Sequence, residues 1–118
     1  MKRVLFDSDV LLDILAERQP FVVASAQALN TVIKKQVQGF VSGHAVTNIF
    51  YILRRQISSE AARKLIETLL QHIKIASVTD EVIHQSLQSP IKDFEDAVTS
   101  AAAMAASLDF LPAFQFKN

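Results

Sequence analysis

The chain has 118 residues, half of them hydrophobic and a fifth charged, which is typical of a globular protein with its own core. Twelve basic residues balance twelve acidic ones, so the overall charge does not indicate a nucleic-acid binder. The absence of cysteine excludes disulfides and thiolate metal sites, and the apolar runs are too short for a membrane span. Asp7 also interrupts any signal-peptide apolar region, so we expect a cytoplasmic protein.

Short apolar runs alternate with segments of helical periodicity along the chain. In chain order, the predicted elements are strand 2–6, helix 10–15, helix 20–35, strand 39–42, helix 46–55, helix 58–73, strand 74–78, helix 80–87, helix 93–107 and strand 108–111. Gly39 and Gly43 are expected to bound the second strand, and Ser58 or Ser59 to cap the fourth helix. This alternation predicts a three-layer αβα fold around a short parallel sheet of about four strands, with residues 1–118 in a single domain.

The first acidic cluster follows the first predicted strand directly. Asp7 and Asp9 lie at the carboxyl end of that strand, which is where α/β proteins bind their ligands. A carboxylate held at the edge of the core is costly to desolvate unless it is paired or binds a cation. The alternative is a helix cap, because Asp7, Ser8 and Asp9 are all good capping residues. Taken alone, this cluster favours the cap.

The second acidic cluster opens an alanine-rich predicted helix. Asp93 and Asp96 are three positions apart and share a helix face, whereas Glu95 points elsewhere. Acidic residues in a first helical turn complement the helix dipole, and this explains Asp93 and Glu95. The alanine run implies close packing against neighbouring elements, so we expect the helix to carry Asp96 toward the interior.

The two clusters together predict more than either one alone. Aspartates gathered at one edge of a sheet repel each other unless a divalent cation neutralises them. Oxygen-only ligands favour Mg²⁺ or Mn²⁺. Such ions lower the pKa of a bound water and stabilise the charge on a transferring phosphoryl group. The pattern therefore indicates phosphodiester hydrolysis at the edge of a sheet.

The same residues carry a resemblance to a known family. The segment 4–13, VLFDSDVLLD, resembles the start of PIN-domain proteins, and 41–53, VSGHAVTNIFYIL, is similar to the second strand and following helix of that family. The segment 92–98, KDFEDAV, is similar to one found in a bacterial PIN branch. The resemblance implies metal-dependent cleavage of RNA by a protein similar to VapC toxins. It also implies an antitoxin protein as a partner and a homodimer.

The resemblance assigns roles to individual residues. Asp7 matches the first metal-binding aspartate of the family and Asp96 the later one, so both are expected to be catalytic and to bind Mg²⁺ or Mn²⁺. The other residues that it places around the cation are auxiliary carboxylates and supporting side chains: Asp9, Asp93, Asn48 and Ser8.

Two departures from the family pattern keep an alternative open. Asn48 stands where many PIN nucleases carry a glutamate, and an amide brings no charge to a cation. Beyond Leu111, residues 112–118 lack the further acidic residue of the family, so we expect a divergent or truncated C-terminus. The alternative is a catalytically weak or inactive PIN-fold module that binds RNA or a protein partner. A response-regulator phosphoacceptor would need a central aspartate and a later lysine, and neither is found in the sequence.

Three further side chains are candidates for contact with RNA. Arg54 and Arg55 end a predicted helix and could contact phosphates, although charged helix faces are usually only solvated. His44 follows the second strand, which places it at the same sheet edge as Asp7 if the sheet is parallel.

Overall fold

The computed structural model describes residues 1–17 and 22–111. Its elements are β1 (Lys2–Phe6), α1 (Ser8–Leu15), α2 (Val22–Ile33), β2 (Val37–Ser42), α3 (Gly43–Gln56), α4 (Ser59–Leu69), β3 (Lys74–Ala76), α5 (Asp80–Leu87), α6 (Phe94–Ala105) and β4 (Asp109–Leu111). Their order is the one that the sequence predicts. The expected helix start at Pro20 and the segment 112–118 lie outside the described residues.

The strands form one parallel sheet in the order β3-β2-β1-β4. β1 pairs with β2 from Lys2↔Val37 onward and with β4 from Val4↔Asp109 onward. All three pairings are parallel, so the segments that follow β1 and β2 leave the sheet at the same edge. We call this the carboxyl edge. The predicted parallel α/β architecture is confirmed.

Helices cover both faces of the sheet. Alternate side chains of a strand point to opposite faces. Val4 and Phe6 face one way and pack in a core with α1 to α4. Leu5 and Phe40 face the other way and pack with Ala103 of α6, against which α5 packs in turn. The result is the predicted three-layer αβα arrangement, with α3 and α6 on opposite sides of β2.

Gly39 lies inside the second strand, and the prediction that it bounds the strand is wrong. β2 begins two residues earlier, at Val37. A Cβ at Gly39 would lie 2.9 Å from Phe6 Cε2 and 2.9 Å from Val32 Cγ2, closer than the normal separation of carbon atoms. Glycine is therefore needed here because core side chains pack directly against the strand backbone.

The other differences concern the ends of elements. α4 ends at Leu69, before the predicted end at Ile73. Ile73 is buried, but it lies in the turn that follows the helix. β3 ends at Ala76. Ser58 is the cap of α4, since its Oγ accepts a hydrogen bond from the amide of Ala61 at 3.0 Å. Within the described part of the chain, every helix is too short or too polar to cross a membrane.

Candidate active site

Two helices begin with an aspartate cap. Asp7 follows β1, and its Oδ1 accepts a hydrogen bond from the amide of Asp9 at 3.2 Å. Ser8 Oγ donates to the same oxygen at 3.4 Å. Asp93 caps α6, where its Oδ1 accepts a hydrogen bond from the amide of Asp96 at 3.0 Å. The capping interpretation of Asp7 is therefore confirmed, and Asp93, which the sequence assigned to the first helical turn, is a cap as well.

The two capped helix starts lie close in space although they are far apart in sequence. The pKa of Asp96 is raised above its ordinary value, first by partial desolvation and then by the negative charges of Asp93, Asp7 and Asp9. The topology agrees, because α6 leads into the parallel strand β4 and therefore begins at the same carboxyl edge as α1. The fold thus brings the two acidic clusters of the sequence together. We call these four residues the acidic edge.

Asp96 lies at the surface, and the prediction that α6 carries it into the interior is wrong. The buried face of α6 begins one residue later, at Ala97, and includes Val98. Burying an ionised carboxylate without a paired cation would be costly, so the side chain stays in contact with water. That position leaves it accessible to an ion or a substrate.

The donor types of the acidic edge suit a hard cation. Carboxylate oxygens are the ligands that Mg²⁺ and Mn²⁺ prefer, and a capping aspartate uses one oxygen for the helix while keeping the other. The repulsion at Asp96 is what a divalent cation would remove. Among the described residues, however, no three acidic or histidine side chains are gathered closely enough to hold an ion. The residues therefore fit the cation in charge and chemistry, and their side chains must rotate to surround it.

Asn48 lies where α3 approaches the first turn of α6. Its Nδ2 donates a hydrogen bond to Glu95 Oε1 at 3.2 Å. The amide is thus engaged with a carboxylate of the second acidic segment. A negative charge is therefore present beside Asn48, although Asn48 itself carries none.

His44 is half-buried between α3 and α6. Its Nε2 lies 3.4 Å from Thr99 Oγ1, and the Thr99 hydroxyl donates to the carbonyl of Glu95 at 3.0 Å. When that hydroxyl gives its one proton to the carbonyl, its oxygen accepts from His44 Nε2–H. Burial lowers the pKa of His44, against an opposing effect of Glu95. His44 is therefore a neutral imidazole at neutral pH, without the cationic charge that a phosphate contact would favour.

The two arginines proposed as RNA contacts lie away from the acidic edge. Arg54 and Arg55 are in the last turn of α3, whereas His44 is in its first turn. Ten residues at the helical rise place Arg54 about 15 Å along the axis from His44. The Arg54 guanidinium lies over the Tyr51 ring, 5.1 Å from its centroid.

A family model of the PIN domain matches residues 3–111. The chain belongs to the PIN-domain family. The resemblance inferred from the sequence is thereby confirmed, whereas a search of curated proteins finds no match.

Several solved structures share this PIN fold. One is a toxin–antitoxin complex from Klebsiella pneumoniae, with a TM-score of 0.68 and 18% identity over 91% of this chain and 82% of that chain. Another is the sarcin-ricin loop cleaving toxin VapC20 of Mycobacterium tuberculosis, with a TM-score of 0.68 and 14% identity over 89% of this chain and 84% of that chain. A third is VapBC2 of Rickettsia felis bound to a promoter DNA fragment, with a TM-score of 0.67 and 9% identity over 92% of this chain and 84% of that chain. Identities this low show a common fold.

Two residues of this PIN domain were missed as site residues by the sequence analysis. Glu95, assigned to the helix dipole, contacts Asn48, and Thr99 contacts His44. The signal in the sequence was their spacing of four residues, which places both on one face of α6. That face lies next to the one that carries Asp96.

Proposed function

We propose that this PIN domain, residues 1–118, is a metal-dependent ribonuclease that hydrolyses RNA phosphodiester bonds. The observation that supports this most is the placement of the Asp7 and Asp93 caps at the starts of α1 and α6 on one sheet edge, because it joins two acidic segments from opposite ends of the chain. Membership of the PIN-domain family supports the same chemistry. Oxygen ligands at a solvent-accessible edge suit hydrolysis of an anionic substrate with the help of a cation.

In this proposal, Asp7 and Asp96 bind Mg²⁺ or Mn²⁺ and are the catalytic residues, with Asp9 and Asp93 as auxiliary ligands. Bound there, such an ion would supply positive charge for the phosphate and a lower pKa for water. Ser8 and the helix amides orient Asp7 and Asp93 through hydrogen bonds that exist before any ligand arrives. Such orienting contacts reduce the rearrangement that ligand binding requires.

The charge of the acidic edge explains why a cation is needed at all. Four carboxylates repel the RNA backbone, so a phosphate approaches only when positive charge is supplied between them. Asn48 supports the cluster by holding Glu95 at 3.2 Å. Arg54 and Arg55, at the other end of α3, are proposed as contacts for RNA that extends beyond the cleavage site.

We also propose that the protein is the toxin of a toxin–antitoxin pair, acting in the cytoplasm as a homodimer. The similar structure from Klebsiella pneumoniae is a toxin–antitoxin complex. Co-expression with the product of an adjacent small gene, followed by size-exclusion chromatography with light scattering, tests this. A stable complex of the two proteins supports the proposal, and two separate proteins refute it.

One observation favours a second candidate function, an inactive PIN module that binds RNA or protein. Asn48 replaces an acidic residue that many PIN nucleases carry, and its amide is already hydrogen-bonded to Glu95. An uncharged ligand weakens metal affinity, and without a cation the acidic edge cannot stabilise a reacting phosphate.

The decisive experiment compares four proteins: wild type, Asp7→Asn, Asp96→Asn and the control Asp80→Asn. Asp80 is an exposed first-turn aspartate of α5 that pairs with His84 at 3.2 Å. With RNA and Mn²⁺ we expect wild type and the control to cleave, and EDTA to stop both. The cleavage rate of the two site variants should fall by more than about 100-fold. This exceeds the roughly 10- to 100-fold loss that is typical when a group only orients a ligand. Cleavage that is equal in all four proteins would remove the catalytic assignment.

Thermal melting in Mn²⁺ separates the two candidate functions. A ligand that binds only the folded state at 100 times its Kd adds about 2.7 kcal/mol of stability. We expect such a rise for wild type and for Asp80→Asn but not for Asp96→Asn. If millimolar Mn²⁺ leaves the wild-type Tm unchanged and no RNA is cleaved, the inactive module is the correct assignment.

A further inference from the structure

A cavity of about 300 Å³ opens between α3, α5 and α6. Its volume is at the lower end of the range for small-molecule sites, which suits a single planar ring system. Apolar and polar side chains both line it: His44, Asn48, Ile83, Phe94, Glu95 and Val98. We call it the α3–α6 cavity.

The cavity adjoins the acidic edge. Phe94 and Glu95 line it from the first turn of α6, and Asp96 is the next residue. Successive residues of a helix are about 100° apart, so Asp96 lies roughly a quarter turn from Glu95. A nucleotide adjoining a phosphate at the acidic edge can therefore place its base in the cavity.

The apolar part of the lining can stack on a base. Phe94 is 48% exposed, although it is a large aromatic residue at the mouth of a cavity. Ile83 and Val98 provide apolar surface beside it. Proteins that bind single-stranded RNA stack unpaired bases on exposed aromatic rings of this kind.

The polar part of the lining consists mainly of acceptors. Asn48 gives one Nδ2 hydrogen to Glu95 Oε1, so Asn48 Oδ1 and Glu95 Oε2 are the acceptors beside that bond, and the second Nδ2 hydrogen remains as a donor. His44 already directs its Nε2 toward Thr99. Adjacent acceptors match a base edge with adjacent donors, which guanine provides through N1–H and N2–H₂. Uracil has one N–H between two carbonyls and is the poorest match.

We propose that the α3–α6 cavity binds a guanine base next to the scissile phosphate, with Phe94 stacking on the ring and the Asn48–Glu95 pair accepting its N–H groups. The proposal rests on the proposed ribonuclease function. In this proposal, the base bound in the cavity determines which phosphodiester bond the protein cleaves.

The test first measures binding without cleavage. Backbone amide NMR spectra of the full chain with Mg²⁺ are recorded during titration with GMP, AMP, CMP and UMP, none of which has a phosphodiester bond to cleave. We expect GMP to shift the amides of Ile83, Phe94 and Val98 at concentrations about tenfold lower than UMP does. Equal shifts with all four nucleotides would overturn the selection of guanine, and no shift at these amides would overturn the pocket.

Two variants and a control locate the effect. Phe94→Ala and Glu95→Gln should each weaken the GMP response by about tenfold. Glu60→Gln removes an equal charge from an exposed residue of α4 that pairs with Lys64 at 3.5 Å, and it should leave the response unchanged. If Glu60→Gln weakens GMP binding as much as Glu95→Gln does, the loss does not come from a contact in the cavity and the proposal fails.

Mapping the cut sites in a random RNA pool separates this inference from the proposed function. Wild type with Mn²⁺ should show guanine at one fixed position beside the cut, and Glu95→Gln should lose that preference. RNA cleavage without any base preference overturns the pocket while the nuclease assignment stands. GMP shifts at the cavity without any cleavage support the pocket and refute the nuclease.

Discussion

Replacing Asp96 with asparagine is expected to stabilise the metal-free protein at neutral pH. Partial desolvation and the charges of Asp93, Asp7 and Asp9 raise the pKa of Asp96 in the folded state. A carboxyl whose folded pKa exceeds its unfolded pKa opposes folding when it is ionised. The contribution of Asp96 to stability is most favourable when the pH is below 3.8, the pKa of the carboxyl in the unfolded chain. That contribution is lost as the pH rises through the raised pKa of the folded state. Asparagine carries no charge, so the variant does not lose this contribution to stability as the pH rises.

The expected gain is modest because Asp96 is exposed and solvent screens its neighbours. Individual exposed charge pairs contribute about 0.2–1 kcal/mol, so three screened repulsions amount to about 1 kcal/mol. Asp96 also interacts favourably with the helix dipole, but the raised pKa shows that repulsion and desolvation outweigh that benefit. In a domain of this size, about 1 kcal/mol corresponds to a rise in Tm of about 4 °C.

Calorimetric melting in EDTA, at neutral pH and near pH 3, measures this effect. The control is Asp80→Asn, which also removes a first-turn aspartate but loses a contact with His84 and gains no relief of repulsion. We expect Asp96→Asn to raise Tm at neutral pH only, and Asp80→Asn to leave it unchanged or lower it. If Asp96→Asn melts below wild type at neutral pH, or if its gain persists near pH 3, the reasoning is refuted.

Three other substitutions test the packing, a cap and the Asn48 position. Gly39→Ala should destabilise the protein by about 1–3 kcal/mol in urea unfolding, because the added methyl overlaps two core side chains; an unchanged midpoint would contradict this packing. Ser58→Ala should lower the free energy of unfolding by about 1 kcal/mol, whereas Ser59→Ala should lower it much less. Equal losses of stability would show that the cap is misassigned. Asn48→Glu places a second carboxylate beside Glu95, so it should lower Tm in EDTA and enlarge the rise in Tm that Mn²⁺ produces; a smaller rise would place Asn48 outside the cation's reach.

The order of the elements and the parallel sheet could be predicted because they depend on local patterns. Apolar runs such as Val4–Phe6 alternate with helical periodicity, and chemistry at strand ends follows from the topology. Gly39 was misjudged because a sequence shows a glycine but not the side chains that pack against it. The exposure of Asp96 was missed because one residue at a helix start changes the direction of a side chain by about 100°.

The contacts between helices could not be predicted from the sequence, for a different reason. Asn48 meets Glu95 and His44 meets Thr99 only because α3 and α6 have particular rotations about their axes. Those rotations are set by packing on opposite faces of β2, and no local pattern encodes them. The acidic clusters could be identified because both lie at helix starts that the topology places on one edge.

The geometry of the helix starts also bears on whether the site is active. The amino ends of α1 and α6 carry partial positive charge, and the caps Asp7 and Asp93 are each directed to one of them. Asp96 caps neither helix, and its pKa is raised first by partial desolvation and then by the repulsion that a cation would relieve. The missing charge at Asn48 is less damaging than it looks in the sequence, because Glu95 supplies a carboxylate 3.2 Å from the Asn48 amide nitrogen. In the proposed nuclease, Glu95 on α6 therefore provides a negative charge beside Asn48 of α3.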